Sequence, residues 1–325
     1  MSRIQLDRGT TDWITRIHEI SEELGLGSES EIAEHTSMSD TREARRQLSD
    51  RLFVEFGISD RWAVEAVEHI VPVAGGEIRV RQYRPVGSTA LLPGYLLLHG
   101  GGFTLGTIDE LVNRAISSER AAEAKVTLFD VDYRLAPEYP FPTALEDAYS
   151  ALVWIHANRN ALSVDADRLV VGGVSAGGNI AAALGHLARD RGGPRIAGQI
   201  LEVPAVDLRS STEWPREYAE ANNIGGVTDL LNLYTAGESA DDPYVSPAAG
   251  SFVGLPLTHI MTAEYDPLGA AAEAYVTDLR AAGVDVSATR HLGFLHGTPG
   301  ITGRVRGARL WHAEVVAVLR QMTAG

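Results

Sequence analysis

The chain has 325 residues, is 45% hydrophobic and 22% charged, and contains 33 glycines and 14 prolines. This describes an ordinary globular protein with a large core and excludes disorder or low complexity. A formal net charge of -15 surrounds it with a field that repels phosphate backbones and anionic bilayers, so neither nucleic acid nor a membrane surface is an expected partner. Cysteine is absent, which removes disulfides, thiolate nucleophiles and Cys-based metal sites. Any nucleophile must be Ser, Thr, Lys or a carboxylate.

The N-terminus MSRIQLDRGTTDWITRIHEISEE has no apolar core of signal-peptide type, and no run of about 18 uncharged apolar residues occurs, so a cytoplasmic location is expected. Residues 1–60 read as cap helices: Trp13, Ile14, Ile17 and Ile20 recur at helical spacing, and a second amphipathic stretch runs from Ser39 through Leu48, Leu52 and Phe56. Glu22, Glu23, Glu29 and Glu31, and the cluster Arg42, Arg45, Arg46 and Arg51, read as solvated faces. From Trp62 the period changes to that of strands, with a hairpin expected across Ala74-Gly75-Gly76.

Short apolar runs then alternate with helical segments: YLLLH, VTLFDV, RLVVGGV, AGQILEV, LTHIMTA and VDVSATR. The expected fold class is α/β: a mostly parallel central sheet with helices on both faces, spanning residues 61–325. The stretch from about 204 to 247 is polar, aromatic-bearing and too long for a simple connection, and reads as a cap insertion that joins the N-terminal helices.

Gly173-Val174-Ser175-Ala176-Gly177 lies between an apolar strand and a helical stretch. The pattern G-x-S-x-G alone would arise about 0.2 times by chance in such a chain, but a strand before and a helix after are what an exposed serine on a strained turn requires. Upstream, His99-Gly100-Gly101-Gly102-Phe103 follows a strand, and consecutive glycines let backbone N–H groups approach a developing oxyanion. No G-x-G-x-x-G and no phosphate-loop lysine accompany it, so nucleotide binding is not expected. A serine needs a base, and the base an orienting acid. Asp266 after LTHIMTA and His296 after the last strand supply them in the order serine, acid, base. Glu264 competes as the acid and His291 as the base, while His99 reads as a brace for the glycine loop. The remaining histidines show no ligand spacing, and neither a metal nor another cofactor is expected.

On these motifs the chain resembles the bacterial hormone-sensitive-lipase-like esterases, family IV carboxylesterases of the α/β-hydrolase superfamily, over nearly its whole length. Asp132 to Glu138 with Phe141-Pro142 match a diagnostic segment of that family, as do His99 to Gly102, Gly173 to Asn179, Asp266-Pro267-Leu268 and His296-Gly297. The resemblance implies Ser175 as nucleophile, His296 as base, Asp266 as its acid, and N–H donors from Gly101, Gly102 and Ala176. It also implies a small acyl pocket, a small-molecule ester substrate and, often in the family, a homodimer. Val174 stands where the family has aspartate, Gly269 to Ala271 where it has Arg, Asp and Glu, and Thr298 where it has phenylalanine. Candidate substrate-binding walls, chosen by nearness to motifs, are Phe103, Leu105, Tyr133, Trp214 and Leu295. Two other readings stay open: a biosynthetic tailoring enzyme acting on a lactone, amide or carbamate, and a non-catalytic ligand-binding protein on a hydrolase scaffold.

Overall fold

The structure is a computed structural model and describes residues 4–26, 37–59, 62–209 and 227–324. Eight strands form one sheet in the order β1-β2-β4-β3-β5-β6-β7-β8. The hairpin β1 (Val64–Val73) and β2 (Gly76–Pro85) turns at Ala74 and Gly75, where Gly75 has φ 76, and β2 pairs antiparallel with β4 (Thr127–Asp132). From β4 onward every pairing is parallel, through β3 (Leu92–Leu98), β5 (Val164–Val174), β6 (Gly198–Glu202), β7 (Thr258–Ala263) and β8 (Val286–His291).

Strands β6 and β7 are buried at every residue, as sheet strands covered on both faces must be. On one face α4 (Thr143–Ala157), α5 (Ala176–Asp190) and α7 (Gly269–Ala281) contribute Ala148, Leu152, Ile180, Leu184 and Tyr275 to the core. On the other, α3 (Leu111–Ala124) and α8 (Arg306–Met322) contribute Ala121, Ala124, Trp311, Val315 and Leu319. This two-sided arrangement presents the loops that follow the parallel strands along one sheet edge, which is where such sheets carry their sites.

The N-terminal segment forms α1 (Arg8–Glu23), capped by Asp7, and α2 (Met38–Phe56), capped by Ser37. Ile17, Ile20, Leu48, Leu52 and Phe56 pack on Ile301, Val305 and Ala308, so both helices sit over the loop that leads into α8. Within 204–247, Ala205 and Val206 are buried beside the start of α5, and Asn179 Nδ2 donates to the carbonyls of Ala205 and Val245 at 2.7 and 2.9 Å. Helix α6 (Val227–Thr235) follows, with Tyr234 stacked on Phe103 at 3.7 Å between ring centroids. Trp214 lies outside the described residues. Among the described residues no helix is long and apolar enough to cross a membrane.

Candidate active site

Strand β5 ends at Val174 and α5 begins at Ala176, which leaves Ser175 alone between them with φ 57 and ψ -117. A residue with a side chain occupies that region only when its surroundings hold it there. The flanking glycines make the turn feasible: a Cβ on Gly173 would stand 2.1 Å from the Gly177 carbonyl oxygen, and one on Gly177 2.2 Å from that of Leu98. The Ser175 N–H donates to the Glu202 carbonyl at 2.9 Å, and the Ser175 carbonyl accepts from Asn179 and Ala205. The turn is therefore tied to the end of β6.

His296 comes from the loop after β8. Its Nε2 lies 2.9 Å from Ser175 Oγ and its Nδ1 2.8 Å from Asp266 Oδ2. A carboxylate only accepts, so Nδ1 carries the proton and Nε2 is left to accept from the serine hydroxyl. Asp266 is 4% exposed, and its second oxygen accepts the Leu268 N–H at 2.9 Å. The loop is packed from above by α1: a Cβ on Gly297 would lie 2.5 Å from the Trp13 ring. Burial alone would lower the pKa of His296, but the Asp266 charge and hydrogen bond outweigh it and hold the imidazole above its ordinary value.

Facing this line is the glycine loop. Gly101 has φ 127 and Gly102 φ 58, followed by Phe103 at φ 65, and a Cβ on Gly101 would sit 2.1 Å from the Leu105 carbonyl oxygen. His99 Nδ1 lies 2.8 Å from the Gly100 carbonyl, which fixes the protonated nitrogen of that ring. Gly101, Gly102, Ser175, Ala176 and His296 line one cavity of about 470 Å³, which Phe103 and Leu105 also border.

Two expected walls are not there. Tyr133 is 2% exposed, stacks on His99 at 4.3 Å and donates to the His99 carbonyl at 2.8 Å, so it supports the glycine loop from behind. Leu295 has no exposed surface because it points into the core while its N–H is held by Thr298 Oγ1 at 2.9 Å. Of the competitors, Glu264 accepts the Gly293 N–H at 2.7 Å, and His291 lies 3.1 Å from Glu314; each is engaged elsewhere.

One cluster escaped the sequence reading. Behind the histidine loop, Arg120 of α3 and Glu202 of β6 pair through two contacts of 2.8 Å with both side chains essentially without solvent. Trp311 Nε1 donates to the same carboxylate at 2.6 Å. His312 Nε2 donates to the Pro299 carbonyl at 2.9 Å, and its Nδ1 faces Arg120 at 3.4 Å. The available signal was Glu202 itself, a charge inside the apolar run ILEV, which a strand buried on both faces admits only with a partner.

Comparison with known proteins gives the lineage. The family model for the alpha/beta hydrolase fold matches residues 95–299. LipN, a carboxylic ester hydrolase of Mycobacterium tuberculosis, is 35% identical over 268 residues, covering 79% of this chain and 70% of LipN. An arylesterase of Saccharolobus solfataricus is 36% identical over 252 residues, covering 76% of this chain and 80% of its own. Among solved structures, the hyperthermophilic esterase of the archaeon Pyrobaculum calidifontis matches with a TM-score of 0.82 at 33% identity, over 89% of this chain and 95% of that one. Kinship and the strand order agree, and the chain belongs to the α/β-hydrolase fold family, among its hormone-sensitive-lipase-like carboxylesterases.

Proposed function

We propose that this carboxylesterase cleaves small carboxylic esters through an acyl-enzyme on Ser175. The observation that carries the reading is the continuous line from Asp266 through His296 to Ser175 Oγ, with hydrogen bonds of 2.8 and 2.9 Å and the hydroxyl facing a cavity. His296 Nε2 takes the hydroxyl proton as Oγ attacks the ester carbonyl, and Asp266 stabilises the imidazolium that results. The tetrahedral oxyanion is received by the N–H groups of Gly101, Gly102 and Ala176, donors of a kind that each lower the barrier by about 3–4 kcal/mol. His296 then protonates the departing alcohol, and water repeats the sequence in reverse to release the acid.

The cavity volume of about 470 Å³ lies in the lower part of the range for small-ligand sites, which favours short acyl groups over long chains. Helices α1 and α2, with the segment around α6, act as the cap over this cavity. A series of p-nitrophenyl esters of increasing acyl length tests the reading, with Ser175→Ala as control. Turnover is expected to peak at short chains and to disappear in the variant, and an organophosphate is expected to label Ser175. Full activity in Ser175→Ala would sink the assignment, and a maximum at long chains would sink the small-acyl preference.

A further inference from the structure

The cavity that contains Ser175 is bordered also by Arg45 from α2, with Glu110 and Asn113 at the start of α3. Val112, Ile116 and Leu231 make the surrounding surface apolar. An arginine in such a wall is unusual in one respect: no described residue neutralises it. Its neighbours on the helix are engaged. Arg42 holds Glu138 through contacts of 3.0 and 2.6 Å, and Arg46 bridges Glu43 at 2.8 Å and Asp50 at 2.9 Å. The nearby acids are spent as well, because Asp50 also accepts the Leu111 N–H and Glu110 accepts from Ser49 Oγ at 3.0 Å.

Among the described residues the Arg45 guanidinium enters no ion pair, and its Nε is buried without an acceptor. This occurs in a chain with 43 acidic side chains against 28 basic ones, where a partner would be easy to supply. Glu110 is a poor substitute: burial pushes its carboxyl up to about 7, so it is in part neutral near pH 7. A buried donor without an acceptor remains unfavourable until a ligand brings one. The guanidinium fork matches a carboxylate in both geometry and charge.

We propose that Arg45 binds a carboxylate of the substrate, so that the preferred esters are those that carry one, such as half-esters of dicarboxylic acids or acyl esters of carboxylated phenols. The proposal rests on this cavity being the ester site. Long-range attraction is not part of it, since the net charge of -15 repels such substrates at a distance. Recognition is by contact with one side chain.

Two matched pairs of substrates test this. Monomethyl adipate against methyl hexanoate puts the carboxylate on the acyl side, and 4-acetoxybenzoate against 4-tolyl acetate puts it on the leaving group. The quantity to measure is the ratio of kcat/KM for charged over neutral ester, in the wild type and in Arg45→Met; intrinsic reactivity cancels between the proteins. In at least one pair this ratio is expected to fall by about tenfold or more on substitution, and Arg45→Lys to restore part of it. Binding of monomethyl adipate and 4-acetoxybenzoate to the uncleaving Ser175→Ala protein gives an independent reading, and one of the two is expected to bind about tenfold more weakly when Arg45→Met is added. A ratio unchanged in both pairs, or binding of both carboxylates indifferent to Arg45, overturns the proposal. A wild type that cleaves neither these four esters nor the p-nitrophenyl series, yet whose Ser175→Ala form binds a carboxylate through Arg45, instead refutes the acyl-enzyme reading of this cavity and upholds the carboxylate site.

Discussion

His296 and His312 stand on either side of one short turn, Thr298–Gly300, and both are largely covered, yet their proton affinities move in opposite directions. Burial lowers both. Around His296 the dominant neighbour is the Asp266 carboxylate, which outweighs burial and favours the imidazolium. Around His312 it is the Arg120 guanidinium, which adds to burial and brings the value to about 4. The same residue type, 16 positions apart, becomes on one side a group suited to accept a proton in a reaction cycle, and on the other a neutral strut that holds the Pro299 carbonyl. The sign of one neighbouring charge makes the difference.

The largest effect is expected where that neighbour is removed from His296, the base in the proposed mechanism. Asp266→Asn should lower kcat by a factor on the order of 10³–10⁴, because the amide no longer enforces the tautomer that leaves Nε2 free. It should also move the acid limb of kcat/KM. In the wild type this limb should lie above the free imidazole value of about 6.5, activity being lost as the pH falls through it, since the base must be neutral. Without the Asp266 charge only burial remains, so the limb of the residual activity should shift to lower pH. A limb that stays in place would mean that another group raises His296.

Much of this arrangement was legible in the sequence because its signals are local. Ser175 stands between an apolar run and a helical one, and Asp266 and His296 each follow a strand, so chain order alone brings them to one sheet edge. The strand rhythm was readable too, except at the start of β5, where the polar Asp165-Ala166-Asp167 concealed pairing that begins at Val164 against Leu92. What failed was side-chain direction. Tyr133 and Leu295 are close to motifs in sequence, but Tyr133 points to His99 and Leu295 into the core. The Arg120–Glu202 pair spans 82 positions between a helix and a strand, and no periodicity records such a meeting. Arg45 belongs to a run of arginines that reads as one solvated face, and only the partners of Arg42 and Arg46 distinguish it.

The next effect tests the strut side of the comparison. Arg120 and Glu202 compensate each other in a site without solvent, so Arg120→Met or Glu202→Gln alone should cost about 3–5 kcal/mol in urea unfolding by leaving a buried charge or donor unmatched. The double variant Arg120→Met with Glu202→Leu should recover most of that loss. If the double variant is as unstable as the singles, the cluster contributes through Trp311 and His312 rather than through the ion pair.

The smallest effect is also the most direct test of the contrast, because it reads the His312 proton alone. The folded state holds His312 neutral down to about 4, whereas the unfolded chain protonates it near 6.5, so between those values the unfolded state binds the extra proton. Stability carried by the neutral ring is thus intact above about 6.5 and lost progressively as the pH falls to about 4, amounting to about 3 kcal/mol over that window. His186, lowered to about 4 by burial and the Arg189 charge, acts with the same sign, so the informative quantity is the difference between the wild type and His312→Gln. Glutamine can still donate to the Pro299 carbonyl but does not titrate, and its unfolding free energy should therefore decline less between pH 7 and 4 than that of the wild type. Parallel curves would show that His312 takes up its proton in the fold as readily as in the unfolded chain, and that burial and Arg120 do not hold it neutral.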